Sequence, residues 1–403
     1  MNRKIFEKTK AERFFGKNKV LKWVAIVVLS ILLLPVCLFL LLVKILWVIM
    51  ASWRHGKPAK EEKEIVRRAK YLSSKIEEGP EKLCDGMPDF IGTQFQGEWS
   101  LYTCTMASVA WSNIVTLFSK HQENAVKSIE RIIDVALSPK IREYDRNRWG
   151  EDPLEDLGGS NSHITYLSHL AWMIGRYKQI GGGNKYDDLY NTLCETMNRR
   201  ILQSPFLNLP SYPGEPVYMP DMLVAIIALD EYAQYHNGKY KSTVDEWLRR
   251  ARTEWVDKKT GLLASHLIAS GKLIQDSRGS YSASNCAYLS FIDTGFAKEQ
   301  YECLKKNFKQ RFPFTGIKEY LDRKCLFGWD NDAGVVILNL SPSGIAFAIG
   351  CATRLGDKKF RKQLLRTAEI AGSTVRCHGK SHYLLADFFL VGEAITLAMR
   401  TST

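Results

Sequence analysis

The chain has 403 residues, 45% of them hydrophobic and 25% charged, ordinary values for a folded protein with a large core. Its net charge of +13 would suit a nucleic-acid partner, but residues 1–70 hold 16 Lys and Arg against 5 Asp and Glu, while the rest hold 40 against 38. The basic excess is therefore terminal and lies beside an apolar run, which fits anionic lipid headgroups and argues against a basic nucleic-acid-binding face.

Residues 1–22 form the basic N-terminal segment. The run WVAIVVLSILLLPVCLFLLLV, Trp23 to Val43, follows without a charge, and ILWVIMASW continues it beyond Lys44. A helix rising about 1.5 Å per residue over this length crosses a hydrocarbon core of roughly 30 Å. A single transmembrane helix is expected over 23–50, with Lys44 snorkelling and Trp47 and Trp53 at the interface. Pro35 is tolerated in such a helix. No small-residue cleavage pattern closes the run, which separates it from a signal peptide. Eight Lys and Arg precede the span and seven lie between residues 51 and 70. That balance gives only a slight lean to an inside N-terminus and a soluble domain outside the cytoplasm.

Residues 51–81, with KPAKEEKEIVRRAKYLSSKIEE, read as a charged stalk helix, and 82–403 as the folded domain. From about Trp99 apolar residues recur at helical spacing in 100–119, 122–138, 162–180, 184–202, 220–236, 241–254, 281–292, 295–309, 342–355, 357–373 and 382–400. GVVILNL, Gly334 to Leu340, is the best strand candidate. The first helices of successive pairs begin near 100, 162, 220, 281 and 342, a period of about 60 residues, and a sixth unit begins near 382. Six helical hairpins suit closure into an all-α (α/α)6 toroid. The loops DFIGTQFQGEW, YDRNRWGEDPLEDLGGSNSH, PSYPGEPVYMPD, SRGSY and FGWDNDAG each precede the first helix of a pair, so all five should gather at one mouth.

Chemistry-bearing residues concentrate in those loops. In YPGEPVYMPD, prolines stiffen a segment holding Tyr212, Glu215, Tyr218 and Asp221. Asp221 suits either a helix N-cap or an inward carboxylate. Glu215, between two prolines, serves no helix. Tyr166 and His169 lie three apart on one helix face and could relay a proton. Trp149, Glu151 and Asp152 in RWGEDP, and Trp329, Asp330 and Asp332 in GWDND, pair aromatic rings with carboxylates, as sugar sites do. Asp–Asn–Asp at 330–332 lacks the glycine and distal glutamate of a calcium loop. No C-x-x-C or Cys/His cluster has zinc spacing, and the domain cysteines read as buried thiols, with a disulfide open to them if the domain is exported. Neither metal nor cofactor is expected.

Several stretches resemble the linalool dehydratase-isomerase family: RNRWGEDPLE, HITYLSHLAWMIGRYKQIGGGNKYDDLYNTL, the loop entering LVAIIAL, SYSASNCAYLSFIDTGFAKEQYECLKKNF and WDNDAGVVILNLSPSGIAFAIGCATRLGDKKF. They run in order from about residue 95 to 400. The resemblance implies an (α/α)6 barrel and cofactor-free acid/base chemistry on an allylic alcohol. It places the family's catalytic histidine at His169 and the positions of its two cysteines at Tyr212 and Asp221, neither of which is Cys here. Three functions follow as expectations. The first is a membrane-anchored lyase or isomerase acting on a small or lipid-soluble alcohol. The second is a carbohydrate-active toroid, a glycoside hydrolase or uronyl epimerase, using Glu215, Asp221 and the 330–332 acids. The third is a non-catalytic scaffold binding a glycan or protein at its rim. Apolar cavity walls would favour the first, and aromatic rings over acids the second. In the sharpest form of the expectation, Tyr212, Glu215 and Asp221 point toward His169 across one cavity.

Overall fold

The computed structural model describes residues 19–51, 57–88, 90, 92–268, 271–274, 277–322 and 324–403. Residues 1–18 of the basic segment 1–22, and Trp53, lie outside the described residues. The chain divides into two units, Met1–Trp53 and Arg54–Thr403. In the first, helix α1 (Lys19–Ala51) runs unbroken through Pro35. Its stretch Lys22–Ile49 is long and apolar enough to cross a membrane.

Among the described residues, the second unit is built from fourteen α-helices and short hairpins. Six of the helices are α4 (Thr93–Leu117), α7 (Ile164–Gln179), α9 (Met219–Tyr235), α11 (Gly279–Ile292), α13 (Pro342–Arg354) and α15 (Leu390–Thr401). Each packs against the next in that order, and α15 packs back on α4, closing a ring. Their sequences explain the inner position. Every residue of α9 from Met219 to Ala233 is buried, and α7 is buried from Ile164 to Tyr177. A helix apolar on all sides has no face to offer water.

The outer helices carry one apolar stripe instead. In α5 (Gln122–Ala136) the buried residues are Ala125, Ile129, Ile132, Ile133 and Ala136, the three-and-four spacing of a single face. With α8 (Asp187–Gln203), α10 (Lys241–Glu254), α12 (Thr294–Phe308) and α14 (Lys358–Gly372), α5 covers the ring from outside. This is the (α/α)6 toroid that the 60-residue period leads one to expect.

The sixth outer helix corrects the sequence reading. Helix α2 (Glu62–Ile76) was expected to be a stalk, yet it packs on both α4 and α15. Ile65, Ala69, Leu72 and Ile76 are buried in the common core. Arg68 is buried with them, and its guanidinium donates to Glu393 Oε1 at 2.7 Å and to Thr374 Oγ1 at 2.6 Å. The domain therefore starts before residue 82, and its first long helix completes the pair begun by its last.

Two short helices, α3 (Pro80–Asp85) and α6 (Pro139–Trp149), and nine short strands decorate the ring. The first six residues of YDRNRWGEDPLEDLGGSNSH, Tyr144 to Trp149, are thus helical rather than loop. Strands β1 (Val217–Tyr218), β2 (His266–Leu267) and β3 (Leu273–Ile274) form an antiparallel sheet, while β4 (Lys309–Gln310) pairs with β5 (Gly316–Ile317). The predicted strand at 334–340 appears as β7 (Gly334–Ile337), paired with β6 (Phe327–Asp330). A further hairpin, β8 (Thr374–Cys377) and β9 (Lys380–Tyr383), occupies the start of the expected sixth helical unit. All nine cysteines are free thiols.

Candidate active site

The N-terminal ends of the inner helices share one rim, and a cavity of about 430 Å³ opens there. All five loops singled out from the sequence reach it. The start of α4 contributes Gln94, Phe95, Glu98 and Tyr102; the end of α6 contributes Arg148; the 212–221 segment contributes Tyr212, Glu215, Tyr218, Pro220 and Asp221. Tyr281 enters from α11, and Asn331 and Asp332 from the β6–β7 turn.

Local chemistry shapes these walls. In Tyr212-Pro213-Gly214-Glu215 the Glu215 amide donates to the Tyr212 carbonyl at 3.2 Å, and Gly214 has φ +75°. Proline then positive-φ glycine at the centre is the pattern of a type II turn, and it presents Tyr212 and Glu215 side by side. Gly97 permits a close approach elsewhere: a Cβ there would meet Tyr144 Cδ1 at 2.9 Å and the Ile141 carbonyl at 3.1 Å. That contact seats α4 against α6 and sets Glu98 beside the 212–221 segment.

Asp221 is not a helix cap. Helix α9 begins two residues earlier, Tyr218 holds the N-cap position, and no side chain caps the helix. The Asp221 carboxylate instead accepts from Tyr102 at 2.6 Å on Oδ1, and from Thr165 at 2.9 Å and Ser211 at 2.5 Å on Oδ2. Burial raises its pKa, and these three hydroxyls oppose the rise. Glu98, one helical turn before Tyr102, has a buried Oε2 without a hydrogen-bond partner. Burial first, then the charge of Asp221, push Glu98 up to about 8 from the usual 4.5. Two carboxyl groups thus share one cavity in different settings: three hydroxyls hold Asp221, while burial holds Glu98 toward its protonated form.

Glu215 is ion-paired with Arg148 at 2.6 Å and accepts from Tyr218 at 3.1 Å. The Arg148 guanidinium also lies over the Tyr212 ring, 4.1 Å from its centroid. Tyr218 and Tyr281 stack with ring centroids 6.3 Å apart and planes 30° from parallel. The Asp332 side chain is about half exposed, reached by solvent through the mouth.

Other expected site residues fall elsewhere. His169 does not line the cavity; it is buried one layer below, its ring 4.1 Å from that of Tyr102. Its Nδ1 bonds Thr105 Oγ1 at 3.0 Å, and Thr105 spends its own proton on the Leu101 carbonyl. The imidazole therefore donates from Nδ1, and burial alone lowers its pKa to about 3, so it is neutral. Tyr166 turns the other way and donates to the Ala136 carbonyl at 3.0 Å, so the two form no relay. Asp152 is held by Arg142 at 2.6 Å and accepts from the Leu154 amide. Half-buried Trp149 packs 5.3 Å from the ring of His163, which is itself paired with Asp145. Asp330 accepts from the amides of Asp332 and Ala333 and pairs with Arg278, an ordinary turn rather than a cation loop. Trp329 faces outward, with its Nε1 bonded to Asn331.

The sequence reading missed Glu98, Tyr102, Arg148 and Tyr281 as site residues. A signal for the first two exists: Gln94, Glu98 and Tyr102 recur every fourth residue, one stripe on a largely buried helix.

No family model and no curated protein matches the chain. Its fold is similar to that of a solved glycoside hydrolase from family 105 of C. acetobutylicum ATCC 824, with a TM-score of 0.51 at 13% sequence identity, over 74% of this chain and 92% of that one.

Proposed function

We propose that the chain is a carbohydrate-active (α/α)6 enzyme, a glycoside hydrolase or uronyl epimerase, held at a membrane by α1. One observation carries this reading: Glu98, with a buried Oε2 that lacks a hydrogen-bond partner, and the hydroxyl-bonded Asp221 share a cavity with aromatic rings. Four carboxyl groups and Arg148 line the cavity beside Phe95 and four tyrosines. Sugars need rings for their apolar faces and polar groups for their hydroxyls, whereas an allylic alcohol needs apolar walls. The lyase or isomerase reading therefore finds no support in the lining. A solved structure with a similar fold is a glycoside hydrolase, which agrees with the preferred reading at the level of fold.

In the proposed chemistry Glu98 donates its proton to the departing glycosidic oxygen, a contribution worth about 10²–10⁴-fold when the acid is well placed. Asp221 takes the proton of the attacking water or offsets the positive charge that builds on the ring. The Tyr218–Tyr281 pair provides a stacking platform, and Arg148 with Glu215 sorts the substituents a sugar may carry there. In the epimerase variant the same pair removes and returns a proton at a ring carbon next to a carboxylate.

The test is incubation of the full chain with neutral and uronate-containing oligosaccharides, reading new reducing ends and deuterium incorporation by NMR. Turnover that Glu98→Gln removes supports the reading. Turnover of allylic alcohols in place of any saccharide would overturn it.

A further inference from the structure

The β6–β7 ribbon breaks the usual pattern of a half-covered hairpin. Residues directly opposite in an antiparallel pair share a face. Gly328 with Val336, and Asp330 with Gly334, face inward, where Val336 is buried and Asp330 meets Arg278. Phe327 with Ile337, and Trp329 with Val335, therefore face outward. That face should be polar in water. Here Phe327 is 77% exposed and Ile337 51%.

The apolar surface extends beyond the ribbon. Phe90, 66% exposed, meets Trp329 edge-on at 5.0 Å, and the Phe389 ring lies 5.7 Å from it on another side. The β4–β5 hairpin stands alongside, with Gln310 Nε2 donating to the Leu338 carbonyl at 3.4 Å, and its tip carries Phe312 at 86% exposure. A contiguous exposed patch of this kind marks an interaction surface. Basic residues border it: exposed Arg311 precedes Phe312, and exposed Lys324 lies two residues before the equally exposed Leu326. Aromatic tips beside cations are the chemistry of the lipid headgroup region.

The same chain supplies the reason to choose a bilayer over a protein. Helix α1 is exposed along its apolar length and long enough to cross a membrane. Only residues 52–61 separate it from α2, a link that spans at most about 3.3–3.6 Å per residue. With α1 in a bilayer, a domain on so short a tether meets the leaflet at high effective concentration.

We propose that the outer face of the β6–β7 ribbon, with Phe90 and Phe312, docks into the headgroup region of an anionic lipid leaflet. The turn of this ribbon carries Asn331 and Asp332 into the cavity, so docking sets the cavity mouth at the leaflet. Resting on the carbohydrate reading, the substrate class becomes a saccharide borne on a membrane lipid. The docking itself does not depend on that reading.

The experiment uses the full chain in vesicles of phosphatidylcholine and phosphatidylglycerol, with plain or brominated acyl chains, and reads tryptophan emission. The other nine tryptophans, among them Trp23, Trp47 and Trp53 in or beside the apolar run, contribute a constant background, so the difference between the wild type and Trp329→Phe isolates the ribbon. Brominated chains should quench that difference signal by about half or more, as for a ring about 5–10 Å into the headgroup boundary. The double variant Phe327→Ser with Ile337→Ser, at exposed positions, should lower the quenching without lowering the unfolding temperature. Equal Trp329 emission in both lipids overturns the proposal. So does cross-linking of two chains through the ribbon without quenching, which would make the patch a protein interface. Should the double variant fail to fold, the wild-type and Trp329→Phe comparison decides alone.

Discussion

Two buried acid clusters of this domain use the same residue types to opposite ends. At the seam between α2 and α15, every carboxylate meets a guanidinium: Glu61 bonds Arg361 and Arg400, at 2.7 and 2.5 Å, and Glu393 bonds Arg68. The Arg68 guanidinium also lies 4.0 Å over the Tyr383 ring. At the mouth, Asp221 meets only hydroxyls, and one Glu98 oxygen meets nothing. A cation beside an acid fixes its charge and ends its chemistry. Hydroxyls and solvent-poor walls leave the proton free to move. The seam holds the ring closed, and the mouth keeps a reactive proton.

The seam should yield the largest effect. Arg68→Ala leaves Glu393 buried without its partner and should cost about 3–5 kcal/mol in urea unfolding. Replacing both, with Arg68→Met and Glu393→Leu, should recover most of that loss. If Arg68→Ala is neutral, the contrast between the clusters fails.

At the mouth the ordering reverses. Glu98→Gln should reduce turnover by about 10²–10⁴-fold with an unfolding temperature unchanged or raised, because the amide carries no charge to bury. The pH dependence sharpens this. Glu98 moves from 4.5 when unfolded to about 8 when folded, so the folded protein holds a proton that the unfolded chain has released. Its stabilising contribution is complete below about 4.5 and is lost as pH rises through 8. Turnover should fall over the same upper limb, and Glu98→Gln should flatten the stability change. His169 acts with the opposite sign: lowered from 6.5 to about 3, it contributes stability above 6.5 that is lost as pH falls toward 3.

Asp221→Asn should be intermediate. Three hydroxyls lose part of their acceptor, which costs about 1–3 kcal/mol, and turnover falls as well, so calorimetry and kinetics should move together. Tyr166→Phe should do least, about 0.5–1.5 kcal/mol for one hydrogen bond with kcat/KM unchanged. A kinetic defect there would draw Tyr166 back toward the site.

The ring was legible in the sequence because its inner helices are apolar on all sides and recur every 60 residues or so. The five mouth loops were legible for the same reason: each precedes an inner helix. Helix α2 was not, because Arg68 interrupts its apolar stripe and finds Glu393 only 325 positions later. Glu98 hid in the second turn of α4 as a single acid, and its significance depends on Asp221, far along the chain. His169 read as reactive because a histidine on an inner helix faces the axis. Depth along that axis, below Tyr102, is not written in a local pattern. Trp329 lay on the correct hairpin, but a strand's alternation sends every second residue away from the cavity.

The closure of the ring by α2 against α15 also bears on how the protein is made. Residues 62–76 leave the ribosome more than three hundred residues before their partner in 390–401 exists. Until then the Arg68 guanidinium of α2 has only Glu64 of its own helix for a partner, since Glu393 has not been synthesised, and α4 has one neighbour missing. A solenoid could settle repeat by repeat as it emerges, each unit needing only the one before it. This domain cannot, because its first and last helices are each other's condition. A chain ended before residue 390 should therefore give no shorter toroid, only an open, protease-sensitive arc.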